Sequence, residues 1–328
     1  MITRSIVTLL CTAPFWAGTV LANIEDTVEK TFRVGENGVL TLDTQRGGIE
    51  VQAVGSDQVT IVVQRKFNTN DREQVDRILK DLKMEFTQTG NNVNVLVEHK
   101  DSDSFFGWDR AKFNLHFIIT VPLKYNVDLK TSGGSISVAD LHGRATTRTS
   151  GGSLTFGRIR GPVTGKTSGG SISLQGCDGD ADVNTSGGGI HIGEVMGQVV
   201  AATSGGSITI KKAKGSVQAK TSGGGIHVEE VMGAINASTS GGSVEATLTQ
   251  QPGADCELRT SGGGITVNMA PDIQVNVDAA TSGGRVVTEF PVTVQGELSK
   301  THLSATVNGG GPKLILRTSG GSIFLKKL

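Results

Sequence analysis

At 328 residues the chain is long enough for one large domain or two moderate ones. Its 31 basic and 31 acidic side chains cancel, so no general attraction to nucleic acid or to a strongly anionic membrane is expected. Aromatic residues are only 4% and glycines number 46, which excludes a large ring-filled globular core and suits thin, regular layers of Ile, Val, Leu, Ala and Thr.

Residues 1–22 read as a secretory signal. Arg4 supplies the positive start, Ile6 to Leu21 are mostly apolar, and Val20-Leu21-Ala22 fits a cleavage site, so the mature chain is expected to begin near Asn23. A short membrane anchor is the alternative, but the stretch is below spanning length. Leu10 precedes Cys11 where a lipoprotein signal wants a small residue, which argues against lipidation. No later segment approaches ~18 consecutive apolar residues. The expectation is an exported protein of the periplasm or cell surface, with no membrane span after signal removal and a net charge of about −1.

Residues 23–130 are irregular. Thr31–Val34, Val39–Thr44, Ile49–Val54 and Val59–Lys66 look like short strands, and Arg46-Gly47-Gly48-Ile49 looks like a worn form of a corner that recurs later. One helix follows, with Asn70 as expected cap, Glu73 three positions on, and Val75, Ile78, Leu79 and Leu82 in one apolar stripe. Met84–Thr89 and Asn92–His99 read as a hairpin around Gly90-Asn91. After a polar-aromatic loop, Lys112–Val121 reads as a long strand leading into the next region.

There the sequence repeats. TSGG begins at Thr131, Thr149, Thr167, Thr185, Thr203, Thr221, Thr239, Thr260, Thr281 and Thr318. The first six steps are 18 residues, the next two are 21, and the last is 37, a gap expected to hide one degenerate unit near Thr301. Such self-similarity is the mark of a solenoid, in which each unit covers its neighbour's apolar face. With Thr as position one, position six holds Ile136, Leu154, Ile172, Ile190, Ile208, Ile226 and Val244. Position eight holds Val138, Phe156, Leu174, Ile192, Ile210 and Val228. Both alternate with polar residues, the period of a strand with one buried face. Position eleven is apolar or small, position thirteen is glycine from Gly143 to Gly233, expected as a turn with positive φ, and position fifteen begins a second strand with Ala145, Val163, Ala181, Val199, Val217 and Ile235.

Each unit is therefore strand, turn, strand, turn. One unit per rung at ~4.8 Å gives about eleven rungs and a rod of roughly 50 Å. The alternation Ser171, Gly189, Ser207, Gly225, Ser243, Gly264 also leaves open a 36-residue rung. The expected fold is an all-β solenoid of about 18-residue TSGG repeats over residues 131–328, its N-terminal edge covered by a β-rich cap with one helix over residues 23–130.

The passage Phe117–Val138, FIITVPLKYNVDLKTSGGSISV, followed by repeated TSGG corners, resembles the family of exported bacterial strand-repeat proteins known as putative adhesins, largely a domain of unknown function. The resemblance covers nearly all of the mature chain. It implies a β-rich rod with an adhesin or envelope role, and it brings no catalytic residues to transfer.

The residues themselves offer little chemistry. Asp178, Asp180 and Asp182 fall at i, i+2, i+4, but the rest of a calcium loop is missing and a solvated polar face is the better reading. His191 and His227 share the outward position seven; with one unit per rung they are two rungs apart, too far to share a zinc ion, whereas a 36-residue rung would make them neighbours. No cofactor, metal or catalytic residue is expected. Position eighteen carries Lys130, Arg148, Lys166, Lys220 and Arg259, with Arg317 before the last TSGG. Stacked, these form a basic edge that could hold a polyanion; Asn184, Ala202 and Ser238 interrupt it, and edge charges that prevent sheet association are the stronger reading. The remaining mature cysteines, Cys177 and Cys256, fall four rungs apart, roughly 19 Å, and are expected to be free, buried thiols. The leading functional expectation is a non-enzymatic envelope or surface scaffold with adhesin-like binding or stress sensing, its partner an envelope protein or a glycan. A carbohydrate-active enzyme on a β-helix and a purely structural spacer are the alternatives.

Overall fold

Two runs of in–out alternation in every unit, separated by glycine corners, give two strands that face each other across a thin core. In the computed structural model, which describes residues 24–99, 113–294 and 299–328, these strands build one sheet of 14 strands and one of 15. The expected signal segment, with Cys11, lies outside the described residues. In the first sheet Leu154, Ile172, Ile190, Ile208 and Ile226 are successive parallel partners. In the second the succession is Ala145, Val163, Ala181, Val199, Val217 and Ile235. Every partner is one 18-residue unit away, which excludes the 36-residue rung. Eleven strands stack in parallel from Gly48–Val54 to Val286–Thr288 in the first sheet. Their position-six and position-eight side chains are buried except in the outermost strand, where Val286 and Thr288 are half-buried; Ile172, Ile190 and Ile208 are wholly buried. Size is matched across the core too: a Cβ on Gly165 would lie 3.1 Å from the ring of Phe156, so the glycine makes room for the solenoid's large side chain.

The TSGG corner has a specific geometry. Each threonine is buried, and its hydroxyl donates to the carbonyl of the second corner glycine of the preceding rung: Thr149 to Gly134 at 2.8 Å, Thr167 to Gly152 at 2.7 Å, Thr185 to Gly170 at 2.7 Å, Thr203 to Gly188 at 2.8 Å. That same carbonyl faces the second glycine of the next corner. A Cβ on Gly170 would stand 2.2 Å from Gly152 O, whereas one on Gly169 would stand 3.2 Å from its nearest neighbour, Gly151 O. Among the glycines at position thirteen Gly143 alone has the positive φ expected from sequence, at 159°; Gly161, Gly179, Gly197, Gly215 and Gly233 do not. They are required because rungs pass too closely for a side chain: a Cβ would lie 2.4 Å from Gly143 O at Gly161 and 2.5 Å from Gly197 O at Gly215.

At the N-terminal end the stack continues before Thr131. Val39–Thr44 pairs with Asn126–Thr131, Gly48–Val54 pairs with Ile136–Val138, and the Thr131 hydroxyl donates to Gly47 O at 3.0 Å. The corner at Arg46–Ile49 is thus stacked like the others. Phe113–Pro122 then adds in parallel, Gln58–Phe67 and Ile24–Arg33 add antiparallel, and the hairpin Leu82–Thr89 with Asn92–His99 extends the second sheet. The helix Arg72–Asp81 buries Val75 and Ile78. Its cap is Asp71, not Asn70: Asp71 has extended backbone and its carboxylate accepts from the amides of Glu73 and Gln74 at 3.0 and 3.4 Å.

The C-terminal end departs from chain order. The last unit, with strands Lys313–Thr318 and Ile323–Lys327, lies between the Thr260 rung and the Thr281 rung in both sheets. Thr318 donates to Gly263 O and Thr281 donates to Gly321 O, at 2.7 and 2.6 Å. Among the described residues no degenerate rung forms near Thr301. Residues His302–Val307 instead run antiparallel to Val275–Thr281 and pair with Val292–Val294, closing the second sheet's edge. Arg317 of the inserted rung is ion-paired with Asp278 of the outer rung, whose other carboxylate oxygen is 3.4 Å from His302 Nε2. The hydrogen bond from Arg317, above all, holds the Asp278 carboxyl below the usual range. That contribution is present above the ordinary aspartate pKa of about 3.9 and is lost as pH falls through the depressed value.

Two outcomes are expected. Gly170→Ala should cost about 3 kcal/mol, because its Cβ meets backbone that cannot move without parting the rungs; Gly169→Ala should cost about 1 kcal/mol, and Thr185→Val about 1–2 kcal/mol for the unsatisfied carbonyl it leaves. Equilibrium urea unfolding of the three variants checks the order. Cys177 and Cys256 are free and buried, the first with its thiol pushed up to about 11 by burial. Both should resist alkylation in the folded protein and react after unfolding, with no intramolecular link in the unreduced mass.

Candidate functional site

With the interior closed by this packing, chemistry is confined to the outer columns of the two sheets. On the second sheet, position eighteen forms one column in which Lys130, Arg148 and Lys166 occupy successive rungs. Asn184 and Ala202 separate them from Lys220, and Ser238 separates Lys220 from Arg259, which pairs with Arg317. The structure sets carboxylates beside this column. Lys130 Nζ is 2.8 Å from Asp43 and Lys166 Nζ is 3.9 Å from Asp182, while Arg259 pairs with Glu257 and Arg317 with Asp278. Arg148 and Lys220 have no ion pair among the described residues. Most of the basic edge is thus a line of exposed charge pairs.

The candidate metal residues are likewise engaged or apart. Asp180 accepts the amide of Gln198 in the next rung at 2.7 Å. His191 and His227 share a column with Thr209 between them, and His227 is 3.2 Å from Glu245. Among the described residues no three His, Cys, Asp or Glu side chains are grouped as metal ligands.

The first sheet carries a hollow that the sequence reading missed. Between the pairs Phe156–Leu174 and Arg158–Gly176 the residue at position nine is unpaired on both strands while the register is kept, and the same gap recurs in the next rungs. Glycines fall there for steric reasons: a Cβ on Gly193 would lie 2.0 Å from Gln175 O, and one on Gly176 would lie 2.7 Å from Glu194 O. A hollow of about 440 Å³ beside Gly193 is lined by Arg158, Gln175, His191, Glu194, Thr209 and Lys211. Elsewhere on this face of the stacked rungs basic side chains have partners: Lys212 with Glu230 at 2.9 Å, His227 with Glu245, Lys326 over the Phe324 ring at 5.8 Å and Lys327 over Phe290 at 5.6 Å. Arg158, His191 and Lys211 have no ion pair among the described residues. Tabulating positions seven, nine and ten side by side would have brought these residues together from the sequence.

A second hollow of about 870 Å³ lies where Phe113–Pro122 meets the first two corners. His116 Nε2 is 3.4 Å from Glu50 there, and Arg46 donates to Phe113 O while its guanidinium sits 4.7 Å from the Phe113 ring.

Stacked one-unit rungs between two flat sheets, with a β-rich cap and polar outer columns, define a two-sheeted β-solenoid. The family profile described as Toastrack DUF4097 matches residues 39–325, and the chain belongs to this family, a domain of unknown function. The match begins at the strand where the rung register begins. No curated protein matches the chain. Among solved structures, one named a putative adhesin from Parabacteroides distasonis is 13% identical, with 92% of this chain and 97% of that chain covered and a TM-score of 0.41. One named a putative lipid binding protein from the same species is 11% identical, covering 92% and 97% with a TM-score of 0.39. A putative cell adhesion protein from Clostridium sporogenes is 12% identical, covering 94% and 100% with a TM-score of 0.25.

Reversing Lys130, Arg148 and Lys166 together to Glu is expected to lower stability by no more than about 2 kcal/mol, since exposed pairs are each worth about 0–1 kcal/mol. The urea midpoint of the triple variant checks this.

Proposed function

We propose that the protein is an exported, non-enzymatic scaffold of the cell envelope or cell surface, with an adhesin-like role in which the outer sheet faces bind an envelope protein or a glycan. The observation that carries this reading is the separation between interior and surface. Buried threonine hydroxyls are committed to corner carbonyls of the preceding rung, whereas the outward serine recurs at every TSGG corner and the outer columns are mainly polar over a length of about 50 Å. A long, regular polar surface on a rigid support suits contact with an extended partner. Export is supported by the signal-like residues 1–22, and no described helix is long and apolar enough to cross a membrane. A stress-sensing role would use the same surface.

The test uses the mature chain, residues 23–328, fixed to beads and exposed to isolated bacterial envelopes, together with a panel of acidic polysaccharides. Saturable retention of envelopes without release of new reducing ends is the expected result. Turnover of a polysaccharide would replace the scaffold reading with a carbohydrate-active enzyme. Absence of retention would leave a structural spacer.

A further inference from the structure

We propose that the hollow on the first sheet, bounded by Arg158 and Lys211, is a binding site for a short stretch of an anionic polysaccharide, one bearing carboxylate or sulfate groups. The inference rests on the scaffold reading above and names the ligand class for one part of its surface.

Three observations converge on it. Charge is the first. Arg158, His191 and Lys211 surround the hollow without ion pairs among the described residues, on strands where Lys212, His227, Lys326 and Lys327 are matched by a carboxylate or an aromatic ring. Glu194 is the single acidic side chain in the lining, so a ligand with acid groups at its ends meets an excess of positive charge. Shape is the second. Between the two cations the lining is Ser173, Leu174, Ile192 and Gly193, small or apolar residues against which a sugar ring can lie. A volume of about 440 Å³ falls within the range of small-molecule sites, and residues of four successive rungs line it, as a stretch of polymer requires.

Spacing is the third. Arg158 pairs with Gly176, Gly176 with Glu194 and Glu194 with Lys212, so Arg158 and Lys211 stand three rungs apart, roughly 14 Å. Two to three linked sugars span that distance, with one acid group near each cation. Between them Gln175, His191, Glu194 and Thr209 supply donors and acceptors for hydroxyls, a mixture suited to a sugar and wasted on a bare inorganic anion. The guanidinium of Arg158 takes a carboxylate or a sulfate through two parallel N–H donors.

Calorimetric titration of the mature chain with tetragalacturonate, a heparin tetrasaccharide and neutral maltotetraose tests the proposal. At least one of the two acidic oligomers should bind, more weakly as salt is raised, while maltotetraose does not; comparison of the two identifies carboxylate or sulfate as the preferred group. Galacturonate monomer should bind at least tenfold more weakly than the tetramer, because it cannot reach both cations. The double variant Arg158→Glu with Lys211→Glu, whose altered side chains are exposed, should lose binding by about tenfold or more with an unchanged urea midpoint. The triple variant Lys130→Glu, Arg148→Glu, Lys166→Glu on the opposite sheet should bind within twofold of the parent. Equal binding of maltotetraose, loss of binding in the triple variant with retention in the double one, or no binding of either acidic oligomer would each overturn the site. Envelope retention by the double variant separates the two readings: retention equal to the parent leaves the scaffold standing without this site.

Discussion

One contact organises the solenoid: a threonine hydroxyl that donates to a glycine carbonyl of the preceding rung, repeated from Thr131 to Thr318. The bond is individually modest, about 1 kcal/mol, but its geometry carries further than its energy. The carbonyl must point along the stacking axis to meet the hydroxyl, and it then occupies the space where a Cβ of the next corner would project. Glycine follows at that position in every rung. So does the parallel register, since a slip of one residue would turn each buried threonine outward and each serine inward. The corner therefore fixes period, spacing and facing at once.

This explains what could be read from the sequence and what could not. The column of position-six residues was legible because in–out alternation is local and the repeat states it many times. Glycine at position thirteen was legible as a residue but not as a cause: its role depends on how near the adjacent rung passes, as at Gly215 beside Gly197 O, which no single unit reveals. The helix cap was misplaced by one residue because Asn70 and Asp71 are both capping residues, and the carboxylate that reaches Glu73 N belongs to the second. The hollow was hidden for a different reason. Arg158, His191 and Lys211 come from three units and three different columns, and only the stacking of successive rungs brings them around one hollow.

The C-terminal order shows where repetition stops being informative. The corners at Thr281 and Thr318 carry the same TSGG, so either can stack on the Thr260 corner, and adjacency in sequence favours Thr281. Pairing decides otherwise. His302–Val307 runs antiparallel on the outer side of Val275–Thr281, so the far edge of the second sheet is taken before the chain returns. The last unit then has its partners on both sides, Cys256–Arg259 and Val275–Thr281, with Arg317 and Asp278 joining it to the outer rung. An interior position also satisfies both backbone edges of that unit, where a terminal position would leave one edge open.

The same logic bears on where function can reside. In a solenoid with a repeated interior, a change at an inward position disturbs two neighbouring rungs, as the close approach at each corner shows. A change at an outward position alters a surface and leaves the stack intact. Differences between the near-copied units accordingly carry their meaning on the outside: Gly193 and Glu194 in one become Glu229 and Glu230 in the other. At the second, Glu230 engages Lys212. At the first, Gly193 and Glu194 line the hollow with Arg158 and Lys211, neither of which has an ion pair among the described residues. The repeat thus holds the frame constant while outward substitutions make one stretch of the surface differ from the next.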